Sequence, residues 1–150
     1  MIITILLLIS VSSSLATDFT IFLEEVTWFK AREICAKNNQ RLVSIESLEK
    51  QNEVVAFLAR NVRQARISLW IGATDFGQEG QFRWINSGRP MDYTRWAKGE
   101  PNQMLGWERC VEIVYDYYTK WNYQWNDMSC ERPRNVLCET VIECVCPKSV

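Results

Sequence analysis

Histidine is missing from all 150 residues. No Ser-His-Asp or Cys-His nucleophilic arrangement and no His-ligated zinc can be built without it, so a hydrolase would have to work with carboxylates alone. An excess of one charge is missing too: 17 Lys and Arg stand against 18 Asp and Glu, a formal net charge of -1, and the basic residues do not cluster. That balance speaks against a nucleic-acid partner, which needs a basic face to displace counterions from phosphates. After the N-terminus no apolar run approaches the ~20 residues of a membrane-spanning helix. Internal repeats, low-complexity tracts and Asn-x-Ser/Thr acceptors are also absent.

What is present fits one globular domain in length and in its 47% apolar, 23% charged composition. Residues 1–16 form an uncharged apolar run followed by small residues, with Ser14 and Ala16 at the spacing a signal peptidase reads. A signal peptide over 1–16, a domain over 17–140 and a tail over 141–150 are expected, and with them secretion to the extracellular space. A signal anchor stays open because no Lys or Arg marks the start, and it is the weaker alternative because no other segment could span a membrane. The 6 cysteines, Cys35, Cys110, Cys130, Cys138, Cys144 and Cys146, suit an oxidising compartment and disulfides. Their number alone leaves the pairing open.

Asp18 to Leu23 reads as a first strand. Thr27 suits the cap of a helix with Ala31, Ile34 and Cys35 on one face, and Arg41 to Ile45 is strand-like. Ser47 suits a second cap, ahead of Val54, Phe57 and Leu58 at helical spacing. From Ile67 the pattern changes to short β-branched and aromatic runs: 68–72, 81–85, 110–115, 123–125 and 136–139. The fold class expected is α+β, helices early and sheet late. Between Ile85 and Cys110 lies a long Gly-, Pro- and Asn-rich stretch without a period, and structureless segments of such length are usually functional.

That stretch holds Gly99-Glu100-Pro101-Asn102 and then Glu108; Trp125-Asn126-Asp127 follows the next strand. Glu100, Asn102, Glu108, Asn126 and Asp127 offer carboxylate and amide oxygens only, a hard donor set suited to Ca²⁺. A proline between Glu100 and Asn102 admits a cis peptide that turns both side chains toward one ion. Each carboxylate keeps lone pairs to accept from a hydroxyl, and each Asn keeps an NH₂ to donate. A vicinal diol, as sugars carry, matches this pattern. Taken singly, Glu-Pro-Asn reads as a solvated turn and Trp-Asn-Asp as a buried Trp ahead of one; only tertiary proximity makes a site of them.

In order and spacing, Trp70-Ile71-Gly72, Glu79-Gly80-Gln81-Phe82-Arg83-Trp84, Tyr93 to Trp96, Glu100-Pro101-Asn102, Glu108-Arg109-Cys110 and Trp125-Asn126-Asp127 resemble the C-type lectin-like domain from about Phe19 to Glu139. The chain is most similar to small secreted single-domain lectins of invertebrates. The resemblance implies a double-loop fold with two helices and antiparallel sheets, stapled by disulfides Cys35–Cys138 and Cys110–Cys130. It implies that Glu100, Asn102, Glu108, Asn126 and Asp127 hold one Ca²⁺ and, through it, a sugar. In such domains Glu-Pro-Asn goes with mannose-type sugars and Gln-Pro-Asp with galactose.

The chain departs from this pattern at an accessory calcium site found in several relatives. Asp75 and Glu79 are present, but Gln103 and Arg109 stand where acids are needed, and a cation at Arg109 would repel a second ion. One calcium is expected. Trp107 reads either as a face for a sugar ring or, preferably, as a plug for its loop; Trp70, Trp84, Trp96 and Trp125 read as core. Cys144 and Cys146, one residue apart, bridge each other only with strain, which leaves a disulfide-linked homodimer or a local tail bridge as alternatives. The function expected is calcium-dependent recognition of glycans, as in innate immunity. A protein-binding component on the same fold (venom, salivary or coagulation-directed) stands second. A glycosidase built on Glu100 and Glu108 stands last, so no enzyme is expected.

Overall fold

The computed structural model describes residues 18–141, so the expected signal peptide over 1–16 and the tail cysteines Cys144 and Cys146 lie outside the described residues. Strand β1 (Phe19–Val26) is followed by helix α1 (Trp28–Lys37), β2 (Gln40–Leu42), α2 (Leu48–Asn61), β3 (Arg66–Thr74), β4 (Arg83–Trp84), β5 (Glu108–Asp116), β6 (Trp121–Ser129) and β7 (Arg134–Thr140).

Both expected caps are formed: the Thr27 hydroxyl accepts from Lys30 N and the Ser47 hydroxyl from Lys50 N, each satisfying a main-chain donor that a helix start leaves orphaned. Trp28, Ala31, Ile34 and Cys35 bury one face of α1, while Gln51, Val54 and Leu58 bury one face of α2. Asn39, at φ 55, turns the chain out of α1 into β2.

The strands join in one sheet of order β1-β7-β3-β5-β6, with β2 on β7 and β4 on β3. Every pairing but one is antiparallel. β3 and β7 run parallel through Leu69↔Asn135 and Trp70↔Val136, so the sheet is mixed where antiparallel sheets were expected. β3 is buried almost end to end; a strand covered on both faces carries no alternation from which its neighbour's direction can be read. β4 is shorter than the 81–85 run, and β6 is longer than 123–125, so that Asn126 and Asp127 lie within a strand rather than after one.

Cys35 is bonded to Cys138, 103 residues away and with Cα atoms 5.6 Å apart, and Cys110 to Cys130 at 5.2 Å. Closing the larger loop contributes about 4–5 kcal/mol in the chain-entropy description. Trp28, Trp70, Trp84 and Trp125 are fully enclosed. Three of their indole N–H groups find acceptors: Trp28 donates to Ile71 O, Trp70 to Val26 O and Trp125 to Gln51 Oε1. Trp96 differs from the expected core position, being half-buried against the edge of Trp125 at 5.9 Å. Among the described residues no helix is long and apolar enough to cross a membrane.

Candidate functional site

The irregular segment after β4 is laid along β6 by its own main chain. Trp125 N donates to Arg95 O and Ala97 N to Trp125 O, both at 2.8 Å, and Glu100 N then donates to Ala97 O at 3.0 Å. Trp125 is itself held by Gln51, whose amide also donates to Tyr123 O at 2.9 Å. A buried tryptophan two residues ahead of Asp127 thus carries the Glu100 turn to the strand that bears Asn126 and Asp127.

All five expected residues converge. Glu100, Asn102, Glu108 and Asn126 line one cleft of about 270 Å³. Fully buried Asp127 ties the loop to β6 behind it, accepting from Asn102 N at 3.1 Å and from Gln103 N at 2.8 Å. The Glu100–Pro101 peptide is cis. Met104 N donates to both Asn102 Oδ1 (2.9 Å) and Glu108 Oε2 (3.1 Å), joining the two sides of the turn.

The charges are poorly balanced within the chain. Glu100 Oε2 is buried without a hydrogen-bond partner. Burial first, and then the neighbouring Asp127 carboxylate, push the Glu100 carboxyl above its ordinary range. Burial likewise raises Glu108, helped by Asp127 and Glu112 and opposed by the Met104 N–H. A buried carboxylate oxygen without a donor, beside two further carboxylates, is relieved by a cation. Among the described residues Asp, Glu, Cys and His nowhere gather in threes that could hold a metal by themselves, so such a cation depends on the amide oxygens of Asn102 and Asn126. The donor set is oxygen throughout, which fits calcium and not a soft metal.

Sequence reasoning missed Glu112. It is buried, accepts from Asn126 Nδ2 at 2.9 Å, and is paired with Arg134 Nε. The available signal was a charge inside the apolar run Val111-Glu112-Ile113 of β5, since buried acids are almost always paired. Trp107 corrects the preferred reading: it is 74% exposed and plugs nothing. The turn Met104–Gly106 places Leu105 and Gly106 at positive φ, which carries Met104, Leu105 and Trp107 out to solvent on the rim of the cleft.

At the position of the accessory site, Asp75 is 1% exposed and its carboxylate is filled by chain donors. Arg109 Nε donates to Oδ1 at 2.8 Å; Gly80 N and Gln103 Nε2 donate to Oδ2 at 2.8 and 3.0 Å.

Comparison with known proteins agrees with this architecture. The model of the lectin C-type domain matches residues 24–140. Salivary C-type lectin 2 of Aedes albopictus is 39% identical over 119 residues, covering 77% of this chain and 78% of the relative. Among solved structures, the carbohydrate-recognition domain of the mouse scavenger receptor C-type lectin superposes with a TM-score of 0.70 at 32% identity, over 86% of this chain and 91% of that one. The C-type lectin domain of murine dendritic cell inhibitory receptor 2, solved with an N-glycan, gives 0.68 at 32% identity, over 85% and 92%. By domain match, sequence relatives and fold, this chain belongs to the C-type lectin family.

Proposed function

We propose that the protein is a secreted lectin that grips a mannose-type sugar through one Ca²⁺ held by Glu100, Asn102, Glu108, Asn126 and Asp127. The observation that carries this reading is the convergence of Glu100, Asn102, Glu108 and Asn126 on one open cleft with buried Asp127 directly behind it, and with Glu100 Oε2 buried and unpartnered. When bound, the ion supplies a positive centre on which two adjacent sugar hydroxyl oxygens can sit.

The chain's own residues do the rest. Glu100 and Glu108 retain lone pairs that accept from the sugar hydroxyls, while the Asn102 and Asn126 amides donate. Glu112 takes one hydrogen of the Asn126 amide, which turns Asn126 Oδ1 away from Glu112 and leaves the second hydrogen for a ligand. The acid at Glu100 and the amide at Asn102 set the acceptor and donor order around the diol, and that order underlies the mannose preference. Exposed Trp107 offers an apolar face beside the polar site. Glycan recognition in a neighbouring fold, that of the inhibitory receptor solved with an N-glycan, supports the assignment. So does the salivary origin of a relative, which accords with secretion.

A disulfide-linked dimer through Cys144 or Cys146 would raise avidity, and migration at dimer size on a non-reducing gel tests it. The test of the function is chromatography on mannose-agarose. Retention in calcium, elution by EDTA and loss of retention in Asn126→Ala are expected; retention that survives both treatments contradicts the reading.

A further inference from the structure

The accessory region is connected to the cleft by an unbroken series of contacts. Arg109 reaches the Asp75 carboxylate through Nε (2.8 Å) and the Asp75 main-chain carbonyl through Nη2 (2.6 Å), and its guanidinium lies 6.0 Å from the Phe76 ring centroid. Asp75 Oδ2 then accepts from the Gln103 side-chain amide at 3.0 Å, and Gln103 N donates to Asp127 at 2.8 Å. Gln103 sits at φ 48, ψ 43, a left-handed conformation that a non-glycine residue holds only when its surroundings impose it. Its long side chain has one anchoring contact here, and that contact is Asp75. Gly80 is fitted to the same contact: it has φ +78, and a Cβ there would meet Gln103 Nε2 at 3.4 Å.

We propose that Arg109 is a positioning residue for the calcium cleft, acting through Asp75 and Gln103 to fix the main chain that caps Asp127. The guanidinium is a fixed internal cation against the buried Asp75 carboxylate. Asp75 is saturated by chain donors, and Gln103 is thereby held where its N–H meets Asp127. The loop is set before any ion arrives. The proposal rests on the calcium reading only for its effect on ion affinity; the order of the loop does not depend on it.

Gln103→Ala cuts the series while keeping both the main-chain N–H and the Arg109–Asp75 pair, so no buried charge is orphaned. Arg109→Lys keeps the charge but loses the two-pronged contact. The full chain and both variants are compared by calorimetric titration with Ca²⁺, by calcium-free melting temperature, and by the rate of chymotryptic cleavage at the exposed Leu105 and Trp107 without calcium. Expected are a Ca²⁺ dissociation constant raised about tenfold in Gln103→Ala, as for other groups that orient metal ligands, and faster loop cleavage in both variants. The melting temperature of Gln103→Ala should stay close to that of the unaltered chain, and the double variant should be no worse than the worse single one, since the two residues act in series. Unchanged cleavage and unchanged affinity overturn the proposal, as does a fall in melting temperature that accounts for the whole loss. Absence of calcium uptake by the unaltered chain, with cleavage still accelerated in both variants, removes the calcium reading and leaves the clamp standing.

Discussion

The Asn126 side chain donates its amide hydrogen to the Glu112 carboxylate at 2.9 Å, deep in the wall of the cleft. Glu112 is only 2% exposed and also receives Arg134 Nε. Glu112→Ala removes the anchor of a proposed ligand and leaves Arg134 unpaired in a half-buried position. A loss of about 2–4 kcal/mol is expected in urea unfolding, somewhat under that of a fully buried pair because Arg134 keeps partial access to water. Stability within about 0.5 kcal/mol of the unaltered chain would show that the pair contributes nothing net.

Acid acts on the same cleft with a definite sign. Glu100 and Glu108 have carboxyl groups raised by burial and by neighbouring acids, so the calcium-free fold binds protons more tightly than the unfolded chain. From these two groups the calcium-free fold gains stability as pH falls through their raised folded values, and the gain is complete below the unfolded values. Calcium needs both carboxylates ionised, so its stabilisation runs the other way. The difference in melting temperature with and without Ca²⁺ is expected to narrow steadily from pH 7.5 toward about 5. A gap that stays constant over that range counts against these acids as ligands.

Trp107 is 74% exposed beside Glu108. Trp107→Ala is expected to change fold stability by less than about 0.5 kcal/mol, as for exposed positions in general, and to leave calcium affinity unaltered. Mannoside affinity should fall by about two- to tenfold, the range of one aromatic contact. Equal affinity in the two proteins would show that the side chain takes no part in sugar contact.

The Cys35–Cys138 bond ties α1 to β7 across 103 residues. Replacing both cysteines by alanine is expected to cost about 2–5 kcal/mol, measured by denaturant unfolding with the slope determined separately for each protein.

Local chemistry was legible where a side chain's role is decided by its near neighbours in sequence. The Thr27 and Ser47 caps and the apolar faces of α1 and α2 belong to this class, whereas the grouping of Glu100, Asn102, Glu108, Asn126 and Asp127 was implied only by the family resemblance, since the residues lie up to 27 positions apart. Three features were not legible, two because they depended on long-range contacts and one because it depended on the course of a loop. The parallel β3–β7 pairing joins residues about 66 positions apart, as in Leu69↔Asn135, and both strands are too deeply buried to signal direction. Trp107 was read as a plug because large aromatics usually bury, yet positive φ at Leu105 and Gly106 turns its loop outward. Glu112 looked like an ordinary strand residue until Arg134 and Asn126, from two other strands, closed on it.

The most direct test of the account is a calorimetric titration of methyl mannoside into the full chain, once saturated with Ca²⁺ and once after EDTA treatment. Binding with one site per chain is expected in calcium, with none in EDTA and none under either condition for Asp127→Ala. The same binding heat with and without calcium would contradict it.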